Sequence, residues 1–223
     1  MDERFLKIKE AVEKELSCSA HDMDHVMRVY ALALNLAKDE DVDMDIIQAA
    51  TLLHDIARVK EDNDPTGKTD HAILSAKMAA PILIEAGFPE EKIKHIQECI
   101  VSHRYRTGNE PKTMEAKILF DADKLDTLGA IGIARGYVWV GRNSAKIYTD
   151  TDIDKYIEEN LGGKINGRIQ DKTKHSPQIE YHTKLKFIAD RLYTAKARRI
   201  GIERLQLYKD FLDRLEKEVN GEL

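Results

Sequence analysis

The sequence predicts an all-α protein. Apolar residues recur at three- and four-residue intervals along most of the chain, as one buried face of a helix requires. No alternation of strands with helices of the βαβ kind interrupts them. Helix stops and starts punctuate the pattern, with Gly87-Phe88-Pro89 the clearest. The expected architecture is a helical bundle with an irregular insertion before two C-terminal helices.

The 223 residues, 42% of them hydrophobic, can bury a substantial core. The chain is expected to be a single domain over 1–223, with its core at about 20–135, an irregular segment at 136–180 and C-terminal helices at 181–219. A formal net charge of −5 argues against a primary binder of nucleic acid or anionic membranes. Cys18 and Cys99 suit reduced thiols better than a disulfide framework. No apolar run approaches the roughly 20 residues needed to span a bilayer. Met1-Asp2-Glu3-Arg4 opens into an amphipathic helix and not a signal peptide, so a soluble, cytoplasmic protein is expected.

Taken in order, Phe5, Ile8, Val12 and Leu16 set a first helix at 3–16. Asp22 is a candidate N-cap for a second, running to about 39, with His25 at the edge of its apolar arc and Arg28 one turn on. Asp43 caps a third helix at 44–57, and its apolar run ends in His54-Asp55. Residues 58–69 read as a polar loop. Asp70 caps a fourth helix from 71 to about 86, in which Pro81 predicts a kink or break. A fifth helix at 89–103 ends in Ser102-His103-Arg104. A sixth begins at Thr113 and can continue to Arg135. Beyond it, a short helix is expected at 152–160, and helical pattern returns at 178–199 and 202–219. In the irregular segment, Tyr137, Trp139 and Tyr148 could stack on a base, though packing is the more ordinary use of aromatic residues.

A lone histidine is most often a satisfied, semi-buried side chain. A set is a different matter. His25, His54, Asp55 and one acid of the cluster Asp121-Ala122-Asp123-Lys124-Leu125-Asp126 offer two imidazoles and two carboxylates. That mixture suits a divalent ion such as Mn²⁺, Fe²⁺, Ni²⁺, Co²⁺, Zn²⁺ or Mg²⁺. Four protein ligands on a six-coordinate ion leave two positions for water or a phosphate oxygen. Helical phase does not choose among Asp121, Asp123 and Asp126.

The order His25 … His54-Asp55 … Asp123 resembles the HD-domain superfamily of metal-dependent phosphohydrolases. The surrounding residues, His21-Asp22-Met23-Asp24-His25-Val26-Met27-Arg28, Ala50-Thr51-Leu52-Leu53-His54-Asp55-Ile56 and Asp121 to Arg135, extend the likeness. With Tyr181-His182-Thr183-Lys184-Leu185 they are similar to a bacterial and archaeal branch that includes nucleotide pyrophosphohydrolase-like members. The resemblance implies a helical bundle and one divalent metal ion on His25, His54, Asp55 and Asp123. Asp126 then becomes a supporting acid or the partner of a cation. Binuclear members use further histidines, but the paired His-His of such sites is absent, since Arg104 follows His103. The expectation is therefore one ion, with His71 and His103 facing substrate phosphates.

The expected reaction is hydrolysis of a phosphoester or phosphoanhydride in a nucleotide or related small molecule. Asp55 is expected to orient or deprotonate the attacking water. His21, His71 or His103 would assist the leaving group. Arg28, Arg58, Lys60, Lys124 and Lys184 are the candidate phosphate contacts. Two further activities fit the same residues, a 5′-nucleotidase and a cyclic-nucleotide phosphodiesterase. So does a non-catalytic nucleotide-sensing module. A small phosphorylated molecule is the expected partner, and a homodimer is left open.

Overall fold

The computed structural model describes residues 2–16, 23–104, 108–165 and 167–223. Among them are eleven α-helices, three short 3-10 turns and no strand, so the all-α expectation holds. The proposed cap Asp22, Cys18 and the candidate acid His21 lie outside the described residues. The chain forms two compact units, Met1–Asp123 and Lys124–Leu223.

The first unit holds α1 (Glu3–Leu16), α2 (Met23–Ala37), α3 (Met44–Leu53), α4 (Arg58–Asp62), α5 (His71–Glu85), α6 (Glu90–Ser102) and most of α7 (Met114–Leu125). Its centre is α3. Ile46, Ile47 and the whole run Ala49 to Leu53 are buried, so this helix is apolar on nearly every side. It packs against α1, α2, α5 and α6. Asp43 caps it as expected, accepting from the Asp45 N–H at 2.9 Å and the Ile46 N–H at 3.4 Å. Asp70 does the same for α5, accepting from Ala72 N–H at 2.9 Å and Ile73 N–H at 3.3 Å.

Several boundaries differ from the sequence reading. The helix expected over 44–57 stops at Leu53, and residues 54–57 form a turn. The polar loop at 58–69 contains α4, a five-residue helix too short to show periodicity. Pro81 does not break α5. Pro81 and Lys77 are both exposed, so water can serve the Lys77 carbonyl that a proline leaves without a partner.

In the second unit, the helix expected to run on to Arg135 is interrupted after Leu125. Thr127 Oγ1 donates to the Lys124 carbonyl at 2.6 Å, and the chain restarts at Gly129 with φ +68°, a value that favours glycine. From there α8 (Gly129–Arg142) runs well into the stretch expected to be irregular. The short helix at 152–160 is present as α9 (Ile153–Asn160). The helix expected over 178–199 is broken. Its first part is α10 (Pro177–Thr183), which gives way at Lys184 (φ −144°, ψ −57°) to 3-10 turns at Leu185–Phe187 and Ala189–Arg191. Thr194 then caps one continuous helix, α11 (Ala195–Val219), which passes through the break expected at 200–201. Gly201 is no stop there: a Cβ would lie 2.6 Å from Leu192 Cδ1, so the glycine permits close packing. Trp139 packs edge-on against His175, with ring centroids 5.3 Å apart.

Candidate metal centre

The first unit gathers His25, His54, Asp55, His71, His103 and Asp123. His25 sits in the first turn of α2 and is buried. His54 is the C-cap of α3 and is wholly buried. The last carbonyls of a helix have no intrahelical partner. One of them, Thr51 O, takes the His54 Nδ1–H at 2.7 Å. His103 repeats the arrangement at the end of α6, with its Nδ1 on the Ile100 carbonyl at 2.5 Å. These bonds place the protons on Nδ1 and leave each Nε2 as a lone pair.

Both Nε2 atoms point at Asp55. The carboxylate faces two ways. Its Oδ2 lies 3.7 Å from His25 Nε2 and 3.7 Å from His54 Nε2. Its Oδ1 lies 3.3 Å from His71 Nε2 and 3.5 Å from His103 Nε2. Asp123 Oδ1 completes the first side, 3.5 Å from His25 Nε2 and 4.0 Å from His54 Nε2. The inner set is thus His25, His54, Asp55 and Asp123. The outer set is Asp55, His71 and His103, with the two outer Nε2 atoms 3.3 Å apart.

These residues suit a cation on chemical grounds. Buried imidazole nitrogens and carboxylate oxygens converge, and at His54 and His103 the Nδ1–H bond to a carbonyl turns an acceptor nitrogen toward an acceptor oxygen of Asp55. His54 Nε2 is buried without any hydrogen-bond partner, which is costly unless an ion meets it. Ligands about 2.0–2.2 Å from an ion lie about 2.8–3.1 Å apart as neighbours in an octahedron, about 3.3–3.6 Å apart in a tetrahedron, and about 4.0–4.4 Å apart when opposite. The separations of 3.3–4.0 Å fall in that span. His25, His54 and Asp55 can form one such group, and Asp55, His71 and His103 another. The expectation of one ion accounts for the inner set. The outer set is geometry it did not foresee, because His71 and His103 converge on Asp55.

The electrostatics agree. Burial pulls the His54 imidazole down to about 4, against the pull of Asp55, so it is neutral at neutral pH. Burial also lowers His71, although Glu61 and Asp55 oppose it.

The candidate phosphate contacts are placed less uniformly. Arg58 stands beside the outer set, ion-paired with Glu61 Oε2 at 3.1 Å and Asp62 Oδ1 at 3.2 Å. Lys60 turns instead to Glu15 on α1, at 2.5 Å. Lys184 pairs with Glu180 at 2.6 Å inside the second unit. Lys124 is buried in that unit, and Arg28 is half-buried on α2. Asp126 pairs with Arg135 at 2.7 Å, the cation partner expected for it. The sequence reading missed Glu61, whose Oε2 lies 2.6 Å from His71 Nδ1. Its only sequence signal is a carboxylate three residues after Arg58.

Residues 23–128 match the family model of the HD domain. The Bacillus subtilis protein YpgQ is 28% identical over 207 residues, covering 91% of this chain and 86% of its own. The crystal structure of YpgQ in complex with ADP superposes with a TM-score of 0.72 at 25% identity, covering 96% of this chain and 94% of that one. An HD-superfamily hydrolase from Bacillus thuringiensis superposes with a TM-score of 0.67 at 27% identity, covering 97% and 95%. A Lactobacillus plantarum protein shares the fold, with a TM-score of 0.74 at 22% identity over 99% of each chain.

Proposed function

We propose that this chain, whose residues 23–128 match the HD-domain model, is a metal-dependent phosphohydrolase acting on a nucleotide or a related small phosphoester or phosphoanhydride. One observation carries the reading: buried imidazole nitrogens and carboxylate oxygens converge on both sides of Asp55, and His54 Nε2 among them has no hydrogen-bond partner. When bound, a divalent ion there supplies Lewis-acid activation of water and positive charge for phosphoryl oxygens.

In this reading His25, His54, Asp55 and Asp123 hold the inner ion, and Asp55, His71 and His103 the outer one. Asp55 belongs to both sets and fixes their spacing. The neutral state of His54 keeps its lone pair available. Arg58 adds positive charge beside the outer set, where a phosphate would be held. The complex of the related YpgQ with ADP supports a nucleotide as the class of ligand.

The test is a screen of nucleoside mono-, di- and triphosphates and cyclic nucleotides with Mn²⁺, Co²⁺, Ni²⁺ and Mg²⁺. Release of phosphate or pyrophosphate, or opening of a cyclic ester, is expected with at least one pair. A nucleotide that binds the metal-loaded protein without turnover would instead make the protein a sensing module.

A further inference from the structure

A metal-facing imidazole needs its other nitrogen fixed, and that second contact sets its tautomer and basicity. His54 and His103 use carbonyls three residues back in their own helices. His71 cannot do so. It is the first residue of α5, and no helical turn precedes it. Its Nδ1 meets Glu61 Oε2 at 2.6 Å instead. The Glu61 carboxylate is gripped on both oxygens, by Arg58 at 3.1 Å on Oε2 and by Arg104 at 3.0 Å on Oε1. Arg104 also holds Asp70, the cap of α5, at 2.8 Å, so one guanidinium ties α4 to the start of the helix carrying His71.

A carboxylate between two guanidiniums is ionised and can only accept. The proton of His71 therefore lies on Nδ1. Arg58 also approaches that nitrogen, but at 3.4 Å it loses to the carboxylate at 2.6 Å. Nε2 is left as a lone pair 3.3 Å from Asp55 Oδ1.

We propose that Glu61 is the positioning residue of the outer donor set: it locks His71 in the Nδ1–H tautomer, and so sets the affinity of a divalent cation for Asp55 Oδ1, His71 Nε2 and His103 Nε2. The proposal rests on the two-set reading above. A carboxylate makes His71 a more basic ligand than a backbone carbonyl would. Loss of this partner weakens outer-ion binding by about 10–100-fold, the range for outer-shell partners of metal-ligating histidines. The inner set does not touch Glu61 and keeps its affinity.

The experiment compares wild type, Glu61→Ala and Glu61→Gln, each stripped of metal. Calorimetric titration with Mn²⁺ alone gives stoichiometry and affinity. Long-range ¹H–¹⁵N correlation on histidine-labelled, metal-free protein gives the His71 tautomer. Wild type is expected to bind two ions per chain with His71 in the Nδ1–H form. Glu61→Ala is expected to lose that form and to bind the outer ion about 10–100-fold more weakly. Glu61→Gln keeps an acceptor oxygen and is expected to restore the tautomer and part of the affinity. A merely structural Glu61 would lower stability while leaving tautomer and outer-ion affinity unmoved, and that result overturns the proposal. Binding of one ion by wild type overturns the two-set reading, and the tautomer then decides by itself whether Glu61 positions His71.

Discussion

The hydroxyl of Ser75 on α5 accepts the main-chain N–H of Ala57 at 3.0 Å. Both residues are fully buried. The bond ties the turn that carries His54 and Asp55 to the helix that begins at His71, and so couples the two donor sets through the backbone. Ser75→Ala leaves a buried N–H without a partner, which costs about 1–3 kcal/mol. Urea unfolding of metal-free protein should show that loss. Mn²⁺ affinity should fall with it, because the turn gains freedom. Unchanged unfolding midpoint and affinity would show that the bond does not hold the turn.

Convergent buried acceptors make ion binding a stabilising event. A ligand at a hundred times its dissociation constant adds about 2.7 kcal/mol per site. Protein stripped with a chelator should therefore melt below the Mn²⁺-loaded form. Elemental analysis should find the inner ion lost from His54→Ala and Asp123→Ala but retained in Asp121→Asn. Full inner occupancy in Asp123→Ala would remove Asp123 from the ligand set.

How much of this was legible in the sequence depends on the distance over which each signal acts. The α3 segment was readable because an all-apolar run stops at two polar residues, and burial on every side is a strong local pattern. Asp123 was not separable from Asp121 and Asp126 by helical phase. Partners in three dimensions distinguish two of them: Asp123 meets His25, while Asp126 takes Arg135. The convergence of His71 and His103 was hidden, since each is a helix-end histidine whose partner lies far along the chain. Glu61 was hidden for another reason. The five residues of α4 carry too little pattern to separate a helix from a polar loop. The break after Thr183 was missed because apolar spacing continues through Leu185 and Ile188, where the backbone turns to 3-10 geometry.

Gly132 in α8 has no room for a side chain. A Cβ there would lie 2.2 Å from the Thr127 carbonyl oxygen and 2.4 Å from its carbon. The obstacle is backbone, and Thr127 is itself held by its hydroxyl bond to the Lys124 carbonyl. Gly132→Ala should therefore destabilise the protein, despite the better helix propensity of alanine. The expected loss is at or above the upper end of the roughly 1–3 kcal/mol typical of overpacking. Gly141→Ala, a position with open space around its Cβ, is the control and should be neutral or slightly stabilising. Equal unfolding midpoints for the two variants would refute the steric account.

The second unit contains a polar chain that predicts an acid limit to its stability. Asn160 Nδ2 donates to the Tyr156 hydroxyl at 2.7 Å, and that hydroxyl meets His175 Nδ1 at 2.9 Å. His175 Nε2 meets Glu180 Oε2 at 3.2 Å, and Lys184 Nζ donates to Glu180 Oε1 at 2.6 Å. Burial acts to raise the Glu180 carboxyl, but Lys184 and His175 outweigh it and hold the group well below its ordinary 4.5. A carboxyl depressed in the folded state binds its proton more readily when unfolded. Its stabilising contribution is complete above pH 4.5 and declines as the pH falls below that value toward the folded one. Glu180→Gln removes the charge and with it this share of the acid dependence. Chelator-treated wild type should lose stability more steeply than Glu180→Gln below pH 4.5, and the two should run parallel above it. Chelation keeps ion release from His54 and Asp55 out of the comparison. Identical acid slopes for the two proteins would show that Lys184 and His175 do not hold Glu180 ionised.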